Sequence, residues 1–177
     1  GVSVVNKAAG GFDPVTEGDR AAETAIPALI AERFPEHGIL GEEHGNIGLD
    51  REHVWVIDPI DGTRAYISGL PVWGTLIGLR SNGRATMGIM DQPFIGERYF
   101  ADGSRSWYSG PDGERQISVR DCGSLSDAIL FTTSPHIFQG DDLKRYRAVE
   151  EKVRLFRYGC DCYAYALLAA GHVVLVV

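Results

Sequence analysis

No run in this 177-residue chain approaches the roughly 20 consecutive apolar residues that a membrane-spanning helix requires. The first residues hold no basic segment followed by an apolar stretch, so no secretory leader is expected and the expected compartment is the cytoplasm. Cysteine is scarce: Cys122, Cys160 and Cys162 are an odd number with no second closely spaced pair. That pattern argues against structural zinc and against a disulfide framework, and for reduced thiols. Positive charge is also short, 17 Lys and Arg against 24 Asp and Glu, a formal net charge of −7. A chain of this sign is a poor binder of nucleic acid. Internal repeats, low-complexity tracts and linkers are missing, and 44% apolar residues suffice for one substantial core.

The most informative stretch is Asp58-Pro59-Ile60-Asp61-Gly62-Thr63. It follows the apolar run Val54–Ile57, which reads as a buried strand. Two carboxylates arrive at the strand's end. Pro59 fixes φ, removes a donor and discourages simple continuation of the strand. Gly62 lets the backbone bend and approach a ligand. A free carbonyl at Ile60 and a hydroxyl at Thr63 complete an oxygen-rich turn of the kind that Mg²⁺ shares with substrate phosphates. Asp, Pro and Gly are equally the ordinary residues of a solvated turn.

Two further acidic turns change the weighing. Glu42 and Glu43 stand between Gly41 and His44-Gly45, after the apolar segment Gly38-Ile39-Leu40. Asp13-Pro14-Val15-Thr16-Glu17-Gly18-Asp19 precedes an apolar-periodic stretch. Thr16 and Asp19 have capping-box spacing with Asp in place of Glu or Gln, which explains Thr16 without chemistry. Three acidic turns at the ends of predicted elements point to one carboxylate cluster, self-repelling without cations. Bound cations would also reconcile the net charge with an anionic substrate.

These pieces together resemble the inositol monophosphatase family of Mg²⁺-dependent, Li⁺-sensitive phosphomonoesterases. The matching residues are Asp13-Pro14-Val15-Thr16 with Asp19, Gly41-Glu42-Glu43, Trp55 through Thr63, and Gly159 before a segment ending Ala169-Ala170-Gly171. The run Gly62–Leu76 and the segment Asp161-Cys162-Tyr163-Ala164-Tyr165-Ala166 look most like the histidinol-phosphatase branch. The resemblance implies an α+β, layered αβαβα sandwich of the inositol-monophosphatase/fructose-bisphosphatase type, in one domain over 1–177. Its metal-site part would cover about 1–135 and the start of a second α/β part about 136–177. Against the family pattern the chain looks shortened at both ends: a preceding helix and a downstream Trp-Asp segment have no counterpart, and Val174 stands where Asp is usual.

The periodicity predicts a helix over 17–34 with Ala21, Ala22, Ile26, Leu29, Ile30 and Phe34 on its buried face, bent or broken at Pro27. Strands are expected near 38–41 and 53–57, then an antiparallel meander over 72–120, with Ser81-Asn82-Gly83 as a hairpin signal. A strand at 128–133, a helix at 141–152, a strand at 155–158, a helix at 160–170 and a strand at 172–177 follow.

From the residues and the resemblance, Glu42, Asp58 and the Ile60 carbonyl are expected to hold a first Mg²⁺, with Asp58 and Asp61 sharing a second. Mn²⁺ is an expected substitute and Li⁺ an inhibitor. Glu43 is expected to support rather than ligate, and Lys7 reads equally as a solvated lysine. Asp19 and Thr63 are expected to orient and deprotonate the attacking water, and the N–H groups of Gly62 and Thr63 to meet phosphate oxygens. Asp161, expected in the first turn of the 160–170 helix, either complements that helix dipole or faces a cationic leaving group such as histidinol. Cys160 and Cys162 are expected to pack against neighbours, and His44, His53, His136 and His172 to form no ligand set. Trp73, Tyr163 and Tyr165 read as core aromatics. The expected activity is hydrolysis of a small phosphate monoester, histidinol phosphate first. Inositol-1-phosphate, nucleoside bisphosphates or fructose bisphosphate are alternatives, as is a non-catalytic, metal- or partner-binding remnant. A homodimer is expected on resemblance, and no nucleic-acid or membrane partner.

Overall fold

The computed structural model describes residues 3–6, 14–42 and 45–177. Strands β1 (Val4–Asn6) and β2 (Pro14–Thr16) pair antiparallel ahead of helix α1 (Glu17–Arg33). Then come β3 (Gly38–Gly41), β4 (Asn46–Ile47), β5 (His53–Asp61), helix α2 (Thr63–Ser68) and the meander β6 (Gly74–Ser81), β7 (Arg84–Gln92), β8 (Glu97–Ala101), β9 (Ser106–Gly110) and β10 (Gly113–Ile117). The remainder is β11 (Ile129–Thr132), α3 (Gly140–Glu150), β12 (Leu155–Tyr158), α4 (Tyr163–Ala169) and β13 (Leu175–Val176), with 3-10 turns at Leu125–Asp127 and Pro135–Ile137.

One eight-stranded sheet has the order β10-β9-β8-β7-β6-β5-β3-β4, and a parallel three-stranded sheet the order β12-β11-β13. The expected hairpin at 81–83 forms because Asn82 and Gly83 both take positive φ, 50° and 79°, as a tight turn matched to strand twist demands. Helix α1 packs on the large sheet through Ile26, Ile30, Ile39, Trp55 and Ile57. Helix α4 packs through Cys162 and Ala166 against Leu76, Met90, Tyr99, Tyr108 and Ile117, and it also meets β13. Helix α3 is tied to the small sheet where Tyr146 and Tyr158 both donate to Glu150. The succession is helix, sheet, helix, sheet, helix, an α+β fold of the expected layered kind.

The structure departs from the expectations in five places. Helix α1 runs unbroken through Pro27; only one backbone bond is lost there. Its buried residues are Asp19, Glu23 and Ile30, while Leu29 and Phe34 are exposed. Strand β5 continues through Pro59 to Asp61, and the irregularity appears instead as a register shift against β6 between Asp58 and Asp61. Helix α4 begins at Tyr163, after a left-handed residue at Asp161. The final strand β13 is two residues long.

Candidate active site

The acids of the site are delivered by the ends of three elements. Strand β5 supplies Asp58 and Asp61, the end of β3 supplies Glu42, and the first turn of α1 supplies Asp19. Asp19 is buried and fixed as a capping box. It accepts from the Thr16 N–H at 2.8 Å and the Thr16 hydroxyl at 2.5 Å, while its own N–H donates to Thr16 Oγ1 at 3.3 Å. Thr16 is thus a cap, as its spacing indicated.

Asp58 is the electrostatic centre. Burial, with Glu42, Asp61 and Asp19 all close by, pushes its carboxyl up to about 8. Glu42 also hydrogen-bonds it directly. Two carboxyl groups make such a bond without a cation only by sharing a proton, and the raised value expresses that. Asp58 Oδ1 is nevertheless buried with no hydrogen-bond partner. An orphaned carboxylate oxygen is costly, and the groups that act on Asp58 are the carboxylates of Glu42, Asp61 and Asp19. This donor set suits a hard divalent cation. Among the described residues no three His, Cys, Asp or Glu side chains stand ready-made as a ligand set: Glu42 meets Asp58, and Asp61 is close enough to raise Asp58 while one of its oxygens is bound elsewhere. Its Oδ2 accepts the Cys162 N–H at 2.7 Å.

The Ile60 carbonyl is not free, as the sequence reading had it. It accepts the Thr63 hydroxyl at 3.1 Å and keeps one lone pair. Asp19 and Thr63, paired in expectation as a proton relay, are bonded to Thr16 and Ile60 instead of to each other. Gly62 sits at the start of α2 with φ 81°. A Cβ built there would stand 2.9 Å from the Cβ of Asp161, so only glycine allows the two loops to meet. Asp161 itself has φ 42° and lies two residues before α4, outside the first turn in which it was expected. Burial, then Asp61, push its carboxyl up, with Arg64 opposing. Lys7, Asp13, Glu43 and His44 lie outside the described residues.

Cys162 is buried in the core and its thiol is pushed up by burial and by Asp61. Cys160 is partly exposed. Trp73 packs edge-on to Tyr66 with centroids 4.9 Å apart, and Tyr163 joins the core, but Tyr165 is exposed. The sequence reading missed Glu23, which is buried one turn after Asp19 and lies against Gly41 beside Glu42. Its signal was the four-residue spacing from Asp19. It also missed Glu97, which gathers three tyrosine hydroxyls.

Comparison with known proteins places this geometry. A chloroplastic bifunctional phosphatase of Arabidopsis thaliana, IMPL2, is 47% identical over 169 residues, which is 94% of this chain and 48% of the relative. A histidinol-phosphatase of Chlorobaculum parvum is 35% identical over 159 residues, 89% of this chain and 60% of the relative. Among solved structures, an inositol monophosphatase from Zymomonas mobilis superposes with a TM-score of 0.78 at 39% identity, covering 88% of this chain and 58% of its own. The chain therefore spans between about half and three fifths of the length of these relatives. The family model for inositol monophosphatases matches residues 2–177, and the chain belongs to that family.

Proposed function

We propose that the protein hydrolyses a small phosphate monoester with Mg²⁺, and that L-histidinol phosphate is its substrate. The observation that carries the reading is Asp58: a carboxylate among three other acids, with one buried oxygen left without a donor. Glu42, Asp58, Asp61 and the Ile60 carbonyl would hold the cation. Bound there, a divalent cation supplies charge neutralisation, an acidified water and stabilisation of the leaving oxygen. Asp19, fixed by Thr16, is the base. The Thr63 hydroxyl, donating to Ile60, keeps its lone pairs for orienting the water. The backbone at Gly62 and Thr63 receives phosphate oxygens at the start of α2.

Asp161 supports the choice of substrate. Its carboxylate lies against Gly62 and close to Asp61, with Arg64 opposing, and this pair of acids suits an ammonium or imidazolium leaving group. The name of one relative, a histidinol-phosphatase, points the same way. The inositol monophosphatase likeness at 39% identity supports inositol-1-phosphate as the second reading. Mn²⁺ replacement, Li⁺ inhibition and a homodimer belong to the same proposal. The test is phosphate release from histidinol phosphate, inositol-1-phosphate, a nucleoside bisphosphate and fructose bisphosphate, with and without Mg²⁺. A preference of tenfold or more for histidinol phosphate supports the reading (about 1.4 kcal/mol in transition-state binding). No Mg²⁺-dependent release from any of the four overturns it.

A further inference from the structure

Helix α4 is short, and the turn that leads into it is tied by backbone bonds from Gly159 to Thr132 and Thr133 and from Ala164 to Cys160 and Asp161. Gly159 and Asp161 take positive φ, 71° and 42°. Cys162, the residue before the helix, makes no side-chain cap bond. Packing fixes one side of the helix, where Cys162 and Ala166 are buried against Met90, Tyr99 and Ile117; beside that contact lies an open apolar pocket of about 330 Å³, lined by Leu76, Met90, Tyr99, Ile117, Cys162 and Ala166 among others. The turn presents the Cys162 N–H to Asp61 Oδ2 at 2.7 Å. A polar tether from β8 adds to this packing. Glu97 Oε2 accepts from Tyr163, the first residue of α4, and from Tyr99 at 3.2 Å. Its Oε1 accepts from Tyr108 at 3.0 Å. Arg115 stacks over the Tyr108 ring, 3.9 Å from its centroid, and the Tyr99 ring meets Tyr108 and Tyr163 edge-on at 5.2 and 6.1 Å. The carboxylate is thereby anchored to two strands, and the hydroxyl of Tyr163 is the link from this anchor to α4.

We infer that Glu97 is a positioning residue for the acidic centre: through Tyr163 it fixes the turn at 159–162 so that the Cys162 N–H holds Asp61 in one orientation. With Oδ2 accepting that N–H, the direction of the Asp61 carboxylate is set and its remaining lone pairs are left for a cation, and the turn also sets how closely Asp161 approaches Gly62. This inference rests on the reading of Asp61 as a ligand, but the tether itself is a matter of structure and can be measured separately.

Three variants separate positioning from plain stability. Tyr163→Phe deletes the link and Glu97→Gln weakens its acceptor. Tyr108→Phe removes a hydroxyl from the same carboxylate and keeps the ring that packs under α4. The Cys162 amide exchange rate, read by NMR on the Mg²⁺-free protein, and the half-saturating Mg²⁺ concentration for phosphate release are measured for each. Loss of a hydrogen bond that orients a ligand costs roughly 10- to 100-fold in metal affinity or activity. Tyr163→Phe and Glu97→Gln should therefore raise both readouts by about tenfold, with kcat falling and KM little changed. Tyr108→Phe should lower the melting temperature but leave both readouts near wild type. If Glu97→Gln fails to fold, Tyr163→Phe decides. Unmoved exchange in Tyr163→Phe, or equal changes in Tyr108→Phe, overturns the inference. Should the wild type release no phosphate at all, the proposed function falls, and the exchange rate alone judges the tether.

Discussion

Asp19 and Glu23 stand one turn apart on α1, and each is 2% exposed. A surface helix ordinarily turns its apolar stripe inward. Here the inward stripe begins with two carboxylates and becomes apolar only at Ile26 and Ile30. Glu23 faces the end of β3, where Gly41 leaves just enough room: a Cβ at that position would lie 2.3 Å from Glu23 Oε1.

Gly41→Ala should therefore be destabilising although the change is one methyl group. Overpacking of this kind costs about 1–3 kcal/mol, and urea denaturation at fixed pH measures it. A midpoint equal to wild type would show that Glu23 moves aside without cost.

Asp58→Asn should separate stability from metal binding. Asp58 takes up a proton on folding, because its value rises from 3.8 to about 8. Without metal, stability should then fall as pH rises through that window, since the unfolded chain holds fewer protons there. The Asn variant removes this slope, and its amide can donate to Glu42. Mg²⁺ at a hundred times its Kd should stabilise the wild type by about 2.7 kcal/mol and the variant hardly at all. Thermal melts across pH, with and without Mg²⁺, test both statements. Asp61→Asn should keep the fold and lower kcat by orders of magnitude.

Asp161 is best tested by Asn, which tolerates the left-handed backbone that Ala resists. If its charge pairs with a cationic leaving group, Asp161→Asn should lower kcat/KM for histidinol phosphate roughly ten- to a hundredfold, equivalent to about 1.5–3 kcal/mol. Inositol-1-phosphate carries no such cation, and its turnover should hold or improve. Equal losses on both substrates would remove Asp161 from substrate selection.

Glu150 predicts a different pH dependence. Burial would raise its carboxyl, but hydrogen bonds from Tyr158, Tyr146 and Arg147 outweigh it, and the net value lies below 4.5. A depressed acid contributes stability above its unfolded value and loses it as pH falls through the folded one. Glu150→Gln should thus lower the melting temperature most near neutral pH, and the gap should close in acid, below 4.5. A gap independent of pH would assign the loss to packing around Phe138 and Tyr146, whose rings stack with centroids 4.7 Å apart.

The acids Asp58 and Asp61 and the bend at Gly62 were legible because their chemistry is local, a strand with Pro and Gly at fixed spacing, although the strand runs on through Pro59 to Asp61. The same holds for α1, bounded by the Thr16–Asp19 box, and for the meander, punctuated by Asn82-Gly83. What sequence hid was which way residues face. Periodicity put Leu29 and Phe34 inside α1, because hydrophobicity was the only cue; the structure gives that face to Asp19 and Glu23. Helix 160–170 was drawn three residues too early at its start, because Asp161 in a left-handed conformation leaves no compositional mark as Gly would. Strands β1, β2 and β4 are two or three residues long, below the length at which alternation can be recognised. Glu97 looked like an ordinary strand-end acid, and only its three tyrosine donors, from β8, β9 and α4, distinguish it.

The bond from Cys162 to Asp61 joins residues 101 positions apart, whereas the strands from β5 to β10 pair with their neighbours in order. Closing so long a loop is entropically slower than zipping adjacent hairpins. Refolding should therefore be staged in time, with the meander's Trp107 and tyrosines acquiring their native signal before Asp61 is captured. During that interval the carboxylates of β5 are already gathered but not yet held, so recovery of catalysis should lag recovery of the sheet.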